Sequence, residues 1–388
     1  MNAAPLVVKP GRPAPQSLLT LYRPDLSAAL EALDAPDYRY VQVCEHLLAH
    51  PQLPLSEATA LLRETREALE ALGASTLVPI ASRTAPDGTT KLLLEGRDSA
   101  RVETVLMRYR DRLTVCLSSQ VGCPVGCAFC ATGAMGFQRN LTVAEIVDQV
   151  RAAAVPARRD GHRISNLVYM GMGEPLLNLQ AVLDSIRVVT DPVGMSLAHR
   201  AISVSSVGIP KSILKLARTE PQVNLALSLH AADDPTRARL IPRRFRHPLN
   251  EILEAAWEHF AITHRKLLVE YVLLQGINDS PDDARRLAGL LRGHVVTVNL
   301  LAWNSPEAPA DSTVRLGRPT RPREDSVGRT QTRPAFFAAP PHGTVRAFRD
   351  TLARAGIEAV IRQSKGGGIQ AACGQLAGSC RSYDRTRS

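Results

Sequence analysis

The chain has 388 residues, of which 45% are hydrophobic and 22% are charged, a composition that suits a globular protein with a substantial core. It contains no apolar run of about 18 residues, which excludes a transmembrane helix on sequence grounds. The formal net charge of +10 favours a polyanionic partner such as a nucleic acid, although genome composition is a competing explanation for its abundance of arginine.

The N-terminal part divides into three predicted segments. Residues 1–16 are rich in proline and are expected to be disordered, without a secretory signal. Residues 17–80 repeat apolar residues at helical spacing, which predicts a small helical domain. Residues 81–112 form a β-rich connecting segment, in which Asp87-Gly88 is typical of a hairpin turn.

Between residues 113 and 380 the sequence alternates between apolar strands and amphipathic helices. This alternation predicts a parallel sheet covered by helices. Six or seven such units favour an open or partial (β/α) barrel, in which ligands lie at the carboxyl ends of the strands. The expected fold is therefore α/β, a partial barrel preceded by the helical domain. The predicted strands are LTVCLSS, SNLVYMGM, AISVSSV, VNLALSLH, LLVEYVLL, VVTVNLLAW and IEAVIRQS.

One segment, residues 305–342, interrupts this alternation and predicts a long loop rich in proline and arginine. Six arginines lie between Arg315 and Arg333. The loop is either a flap that contacts nucleic acid or a solvated insertion, and we favour the insertion because charged runs are usually only solvated. Residues 381–388 are expected to form a C-terminal tail.

Three of the seven cysteines, Cys123, Cys127 and Cys130, form a C-x3-C-x2-C motif directly after a predicted strand. An odd number of cysteines, clustered in this way, argues against a secreted disulfide framework and for a reduced, cytoplasmic, metal-binding protein. Three thiolates suit three irons of a [4Fe–4S] cluster and leave the fourth iron open to a small molecule. The alternatives are a structural zinc site, which uses four protein ligands, or three unrelated buried cysteines.

The cysteine motif, with the aromatic Phe129 before its last cysteine, resembles the signature of the radical S-adenosylmethionine (SAM) superfamily. Members of that superfamily bind SAM at the open iron and derive a 5′-deoxyadenosyl radical from it. Further motifs resemble the RlmN/Cfr family of 23S rRNA adenine methyltransferases, over about residues 85 to 380 apart from the long loop. These motifs are CLSSQVGC at 116–123, MGMGEPLLN at 170–178, SVSSVG at 203–208, SLHA at 228–231, LLAWN at 300–304 and AACGQLAG at 371–378.

The family resemblance implies roles for three residues outside the cysteine motif. Cys373 matches the cysteine that a first SAM methylates and whose methyl group, made radical with a second SAM, adds to the adenine ring. Cys116 matches the cysteine that attacks Cys373 to free the product, leaving a transient disulfide, and Glu103 matches a proton acceptor. The positions that match contacts to SAM are Gly173, Glu174, Ser205, Ser228, Leu229, His230 and Asn304.

Without that resemblance, several of these residues have plainer interpretations. Glu103 is then an exposed strand residue, Cys116 a buried small apolar residue and His230 a hydrogen-bonded core histidine. Cys44 lies among apolar residues of a predicted helix and is interpreted as a core residue, and Cys380 as a spare thiol near the C-terminus.

The resemblance as a whole implies an enzyme that methylates C2 of an adenosine in 23S rRNA. It implies tRNA as a further candidate substrate, a flavodoxin or ferredoxin as low-potential electron donor, and no membrane partner. Methylation of C8, which gives antibiotic resistance, is one alternative, and a non-catalytic, metal-bearing RNA-binding protein is another. The N-terminal domain lacks the basic stretch typical of the family, and the 305–342 loop is longer than usual, so these departures bear on substrate choice.

Overall fold

The structure, a computed structural model, describes residues 15–51, 53–305 and 337–378. The predicted tails at 1–16 and 381–388 lie wholly or largely outside these ranges, as do Cys380 and most of the predicted 305–342 loop. Within the ranges, no helix combines the length and the apolar character needed to cross a bilayer.

The described helices alternate with strands over most of the chain. They are α1 (Pro15–Tyr22), α2 (Pro24–Ala32), α3 (Asp37–Ala49), α4 (Arg63–Leu72), α5 (Ala131–Ala134), α6 (Val143–Arg159), α7 (Leu179–Thr190), α8 (Pro210–Thr219), α9 (Asp234–Leu240), α10 (Leu249–Thr263), α11 (Pro281–Leu291) and α12 (His342–Arg354). The strands are β1 (Leu77–Thr84), β2 (Thr90–Gly96), β3 (Arg101–Arg108), β4 (Leu113–Cys116), β5 (Gln120–Gly122), β6 (Phe137–Asn140), β7 (Asn166–Tyr169), β8 (Ile202–Ser206), β9 (Asn224–Ser228), β10 (Leu267–Leu273), β11 (Val296–Ala302) and β12 (Glu358–Ile361).

Ten of the described strands form one sheet in the order β1-β2-β3-β4-β7-β8-β9-β10-β11-β12. The pairs from β1 to β4 are antiparallel, and every neighbouring pair from β4 to β12 is parallel. The predicted apolar strands are the parallel ones, which confirms the α/β partial barrel. The barrel stays open because β1 and β12 are the two ends of a linear order rather than partners.

Helices α6 to α8, α10 and α11 cover the outer face of the parallel strands, as expected from their amphipathic sequences, and α12 joins them. Helix α12 was not predicted, because it follows directly after the long loop and presents only three fully apolar anchors. Those anchors, Val345, Phe348 and Leu352, are nevertheless buried at the spacing of one helix face. The last parallel strand thus follows a crossover helix like the others.

The N-terminal helices α1 to α4 pack around a shared core in which Leu19, Leu47 and the predicted core residue Cys44 are buried. Helix α1 begins at Pro15, inside the stretch predicted to be disordered. The helices are fixed to the barrel through Asp148 on α6, which accepts a hydrogen bond of 2.8 Å from the Tyr22 hydroxyl. Such buried polar contacts specify how the helices dock on the barrel.

The inner face of the sheet is not filled by apolar side chains. Residues along β8 and β10 alternate between fully buried and partly accessible, because one face of each strand packs under helices and the other faces cavities. Ser203, Ser205 and Glu270 lie on the accessible face. The open barrel therefore offers a ligand a largely apolar interior in which a few polar side chains are exposed.

Candidate active site

The carboxyl ends of the parallel strands bring together several of the predicted site residues. Cys116 ends β4, Ser205 lies near the end of β8, Ser228 ends β9, and Asn304 follows β11. The Ser205 and Ser228 hydroxyls are hydrogen-bonded to each other at 3.0 Å. Because neighbouring parallel strands end at the same edge of a sheet, residues far apart in sequence converge there.

The predicted cluster cysteines lie on the loop between β5 and α5, and this loop is closed by the short β5–β6 ribbon. The Cys123 N–H donates to the Gly136 carbonyl at 2.8 Å. Gly122 has a φ of +73°, and a Cβ there would lie 1.9 Å from the Gly136 oxygen, so the position requires glycine. The ribbon was not predicted because its strands are too short to show periodicity.

An apolar shell surrounds these cysteines. Its buried members are Val125, Phe129, Val207, Leu240, Ile241 and Leu274. The Phe129 carbonyl also accepts a hydrogen bond of 3.0 Å from the Trp303 indole. Burial raises the pKa of Cys123 to about 12, so a thiolate in this shell needs the positive charge that bound iron supplies.

The three cysteines of this loop are its candidate metal ligands. Among the described residues, no three or more His, Cys, Asp or Glu side chains form a group that could hold one metal ion. In a [4Fe–4S] cube each thiolate binds a different iron, so the sulfurs stand farther apart than they do around one zinc ion. A structural zinc site uses four protein ligands, and this loop offers three cysteines, so the ligand set favours the cluster.

Two adjoining cavities lie on the inner face of the sheet, and the smaller one borders the cysteine loop. It joins one cluster cysteine to five other predicted site residues. These six residues of its wall are Cys130, Ser205, Ser228, His230, Asn304 and Cys373. The smaller cavity thus combines a predicted cluster ligand with hydroxyl, imidazole and amide groups that can bind a polar small molecule.

His230 is buried with its ring hydrogen-bonded, and it also forms part of the wall of the smaller cavity. Its Nδ1 accepts the Val272 N–H at 3.1 Å, and its ring packs edge-on against Phe129 with centroids 4.9 Å apart. Burial lowers the pKa of His230 to about 3, so the ring is neutral. A φ of +58° turns the chain at this strand end.

Three predicted SAM-contacting positions do not line the smaller cavity in the described structure: Gly173, Glu174 and Leu229. The Glu174 carboxylate instead accepts the N–H groups of Val207 at 2.8 Å and Leu176 at 3.0 Å, and burial raises its pKa to about 7. Gly173 has a φ of +104° and leaves no room for a Cβ beside Gln120. These residues shape the strand-end loops around the cavity.

The larger cavity has a volume of about 370 Å³ and extends along the interior of the open barrel. That volume lies in the range of about 300–1,000 Å³ typical of small-molecule sites. Cys116 and Cys373 both line it, although they are far apart in sequence. Burial and then the nearby Cys373 raise the pKa of Cys116. Cys373 itself is accessible from the cavity, and its enclosure by protein raises its pKa to about 11.

The segment that carries Cys373 is tied to the cysteine loop through its backbone. The Ala131 N–H donates to the Gly374 carbonyl at 2.8 Å, and the Thr132 hydroxyl donates to the Leu376 carbonyl at 2.6 Å. Both contacts join residues more than 240 positions apart. Cys373 is thus held at the boundary of the two cavities, where it lines both.

Glu103 supports the same segment from the opposite side. Its side chain is 1% exposed and lines neither cavity, and its Oε1 pairs with the equally buried Lys91 Nζ at 2.8 Å. Its Oε2 accepts the N–H groups of Ala377 at 2.8 Å and Gly378 at 3.2 Å. Lys91 also donates to the Gln370 carbonyl at 3.2 Å. The Lys91–Glu103 pair therefore holds the Cys373 segment at both ends, an arrangement called the clamp below. The plainer interpretation of Glu103 as an exposed residue is wrong.

Replacing Lys91 by methionine is expected to lower the free energy of unfolding by about 3–5 kcal/mol, because it leaves the Glu103 carboxylate buried without its cation. Denaturant unfolding of the two proteins measures this difference. The matched control is Arg63→Ala, which breaks an exposed ion pair with Glu67 and is expected to change stability very little. Equal effects of the two substitutions would contradict the clamp.

The polar residues of the cavity walls that sequence reasoning missed include Glu270 and Asn299. The Asn299 amide donates to Glu270 Oε1 at 2.7 Å. A signal was present, since Glu270 is the one charged residue in LLVEYVLL and Asn299 the one amide residue in VVTVNLLAW, both mainly apolar strands. A polar side chain in such a strand is buried at a cost unless it has a partner or a function.

The chain is similar to known proteins over nearly its whole length. Residues 117–288 match the model of the Radical SAM superfamily. A probable dual-specificity RNA methyltransferase RlmN of Thermus thermophilus is 42% identical, covering 92% of this chain and 93% of its own. A protein of Heliobacterium modesticaldum with the same description is 40% identical, covering 95% and 91% respectively. The crystal structure of a radical SAM methyltransferase from Sphaerobacter thermophilus superposes with a TM-score of 0.81 at 39% identity, covering 92% of this chain and 97% of that one.

Proposed function

The chain belongs to the RlmN family of dual-specificity RNA methyltransferases, within the radical SAM superfamily, and we propose that it methylates C2 of an adenosine in 23S rRNA. It is an enzyme that methylates RNA, with a [4Fe–4S] cluster and SAM as cofactors. The observation that carries the finer proposal is the position of Cys373. This residue lines the cavity beside the cysteine loop and also the cavity that contains Cys116.

Cys123, Cys127 and Cys130 bind three irons of the cluster in this proposal and leave the fourth iron to the amino and carboxylate groups of SAM. When bound, the cluster and SAM supply a carbon-centred radical in the smaller cavity. Ser205, Ser228, His230 and Asn304 hold SAM from the other walls, and Gly173, Glu174 and Leu229 shape the surrounding backbone. The apolar shell excludes water from the metal site.

Cys373 accepts a methyl group from a first SAM and presents that carbon to the adenine, while a second SAM is consumed at the cluster. An aromatic C2 carbon of adenine is a poor nucleophile, so a carbon held on a protein sulfur divides one difficult transfer into easier steps. Cys116 then attacks the Cys373 sulfur as a thiolate and breaks its bond to the transferred carbon. That carbon leaves with the electron pair of the broken bond and takes up a proton, which frees the methylated RNA and leaves a disulfide between the two cysteines. Both cysteines line the larger cavity, which supports this pairing. Glu103 holds the Cys373 segment in place through its contacts with the Ala377 and Gly378 amides.

RNA enters through the larger cavity, whose walls carry four cationic side chains and an aromatic ring. These residues are Arg112, Arg200, Arg362, Lys365 and Tyr109. Cations at the mouth attract the phosphates of RNA, and the base itself passes beyond them to the cysteines. We propose that a flavodoxin or ferredoxin supplies electrons, that tRNA is a further substrate, and that the enzyme acts in the cytoplasm.

C8 methylation and a purely RNA-binding role are the alternatives. The relatives named RlmN favour C2 over C8. A binding module has no chemical use for two cysteines that face one cavity beside a cluster loop, which disfavours the non-catalytic alternative.

Protein reconstituted without oxygen is expected to hold about four irons per chain and to convert an adenosine of 23S rRNA to 2-methyladenosine. Elemental analysis and mass spectrometry of digested rRNA and tRNA nucleosides measure both. Cys127→Ala is expected to lose iron and product, whereas Cys44→Ala, which removes a buried thiol among the N-terminal helices, keeps them. One zinc without sulfide would refute the cluster, and 8-methyladenosine would favour the alternative carbon.

A further inference from the structure

We propose that Glu270 is the proton acceptor of the methylation: its carboxylate takes the proton that leaves the adenine carbon when the methyl group is attached. This inference rests on the function proposed above and deepens it. It assigns to Glu270 a step for which the family resemblance points to Glu103.

Glu270 occupies the place where such a base is needed. It lies in the middle of β10, beside Ser228 of β9 and Asn299 of β11 in the sheet register. Its side chain lines both cavities, as Cys373 does. Within the described ranges, the walls of the two cavities contain no other Asp or Glu. The adenine carbon must reach Cys373, so a base beside it must share the same boundary.

A hydrogen bond holds the Glu270 carboxylate in place, and the charge of this carboxylate acts on Cys373. The Asn299 amide donates to Oε1 at 2.7 Å, which fixes the orientation of the carboxylate. Burial raises the pKa of Cys373 most, and the negative charge of Glu270 raises it further. Burial likewise raises the pKa of Glu270, against the nearby Arg362. A carboxylate with a raised pKa is a stronger base and is more readily protonated.

The chemistry requires a group of this kind. The radical carbon on Cys373 forms a bond to the ring carbon, and the unpaired electron of that adduct would pass to the oxidised [4Fe–4S] cluster of the proposed function. The ring C–H bond then breaks, its electron pair stays in the ring and its hydrogen leaves as a proton. The transferred carbon takes up a proton of its own when Cys116 displaces it from the Cys373 sulfur. Glu270 accepts the ring proton on a carboxylate oxygen and becomes neutral, which suits a half-buried site. Glu103 lies behind the Cys373 segment, is 1% exposed and paired with Lys91, and lines neither cavity. Glu103 therefore acts as a positioning residue.

The variant Glu270→Gln tests this assignment, because methylation of Cys373 and release of methylated RNA are measured separately. Methylation of Cys373 is read from the mass of the intact protein, and release of 2-methyladenosine from digested RNA. The variant is expected to methylate Cys373 normally and to release product at least about 100-fold more slowly, because general-base catalysis contributes about 10²–10⁴-fold. Glu358→Gln, on the exposed face of the edge strand β12, is the matched control and should behave as wild type. Glu103→Gln should instead impair methylation of Cys373, because its segment is released.

A second variant keeps the inference testable if glutamine disturbs folding. Glu270→Asp retains the carboxylate but withdraws it, so release should slow less than in Glu270→Gln. RNA deuterated at adenine C2 should then show a larger isotope effect on release than it does with wild type, because proton removal has become limiting. Wild-type release by Glu270→Gln, loss of Cys373 methylation in that variant, or equal isotope effects would overturn the assignment. A wild-type enzyme that makes no 2-methyladenosine would overturn the proposed function instead.

Discussion

Replacing Cys373 by alanine is expected to abolish RNA methylation, with a loss of at least about a thousandfold. The thiol is the only group at this position that accepts a methyl carbon and then carries it to the adenine. Its side chain faces the cavities rather than the core, so the substitution should leave folding intact. The variant should also keep its iron, because Cys373 lies outside the cysteine loop.

Two measurements check this prediction on the same sample. Nucleoside mass spectrometry follows the product, and protein mass spectrometry follows the methyl group, which should be absent from the peptide that contains residue 373. Cys44→Ala serves as the control, since it removes another thiol from the folded chain without touching either cavity. Detectable 2-methyladenosine from Cys373→Ala would mean that the methyl group reaches the adenine without being carried by Cys373.

Replacing Cys116 by alanine is expected to stop the enzyme once the carbon on Cys373 has been attached to the adenine, which leaves RNA bound covalently to Cys373. The adenine is by then joined to the sulfur through the transferred carbon, and only attack by a second thiol breaks the carbon–sulfur bond. Cys116 is the other cysteine of the larger cavity. Burial raises the pKa of the Cys116 thiol, so this thiol has to lose its proton as it attacks the Cys373 sulfur.

The trapped species should appear as a slowly migrating band of labelled RNA that protease treatment removes. A peptide with residue 373 joined to a nucleotide should be recovered from it. Combining Cys116→Ala with Cys373→Ala should eliminate the band, because no sulfur remains to carry the base. Multiple turnovers by Cys116→Ala would show that release needs no second cysteine and would remove the disulfide from the scheme.

Much of the fold could be predicted because it depends on patterns that are local in sequence. Most parallel strands are mainly apolar runs, and most crossover helices show the spacing of one buried face, so element type and parallel pairing follow from the residues. The cysteine motif and AACGQLAG are likewise contiguous, which is why the cluster residues and Cys373 could be named. Helix α12 and the β5–β6 ribbon escaped prediction because a helix with few apolar anchors and strands of three or four residues carry weak periodicity.

The tertiary structure alone decided which of those residues face each other. Lys91 and Gln370 are joined across 279 positions, and no local pattern relates a lysine in one apolar strand to a carbonyl near the C-terminus. Glu103 and Glu270 are both lone acidic residues in apolar strands, so the sequence treats them alike. Their difference arises because β3 runs behind the Cys373 segment, where two amides and Lys91 surround the carboxylate. Strand β10 instead presents its accessible face to the cavities, and burial and partners set by strand order determine what a carboxylate can do.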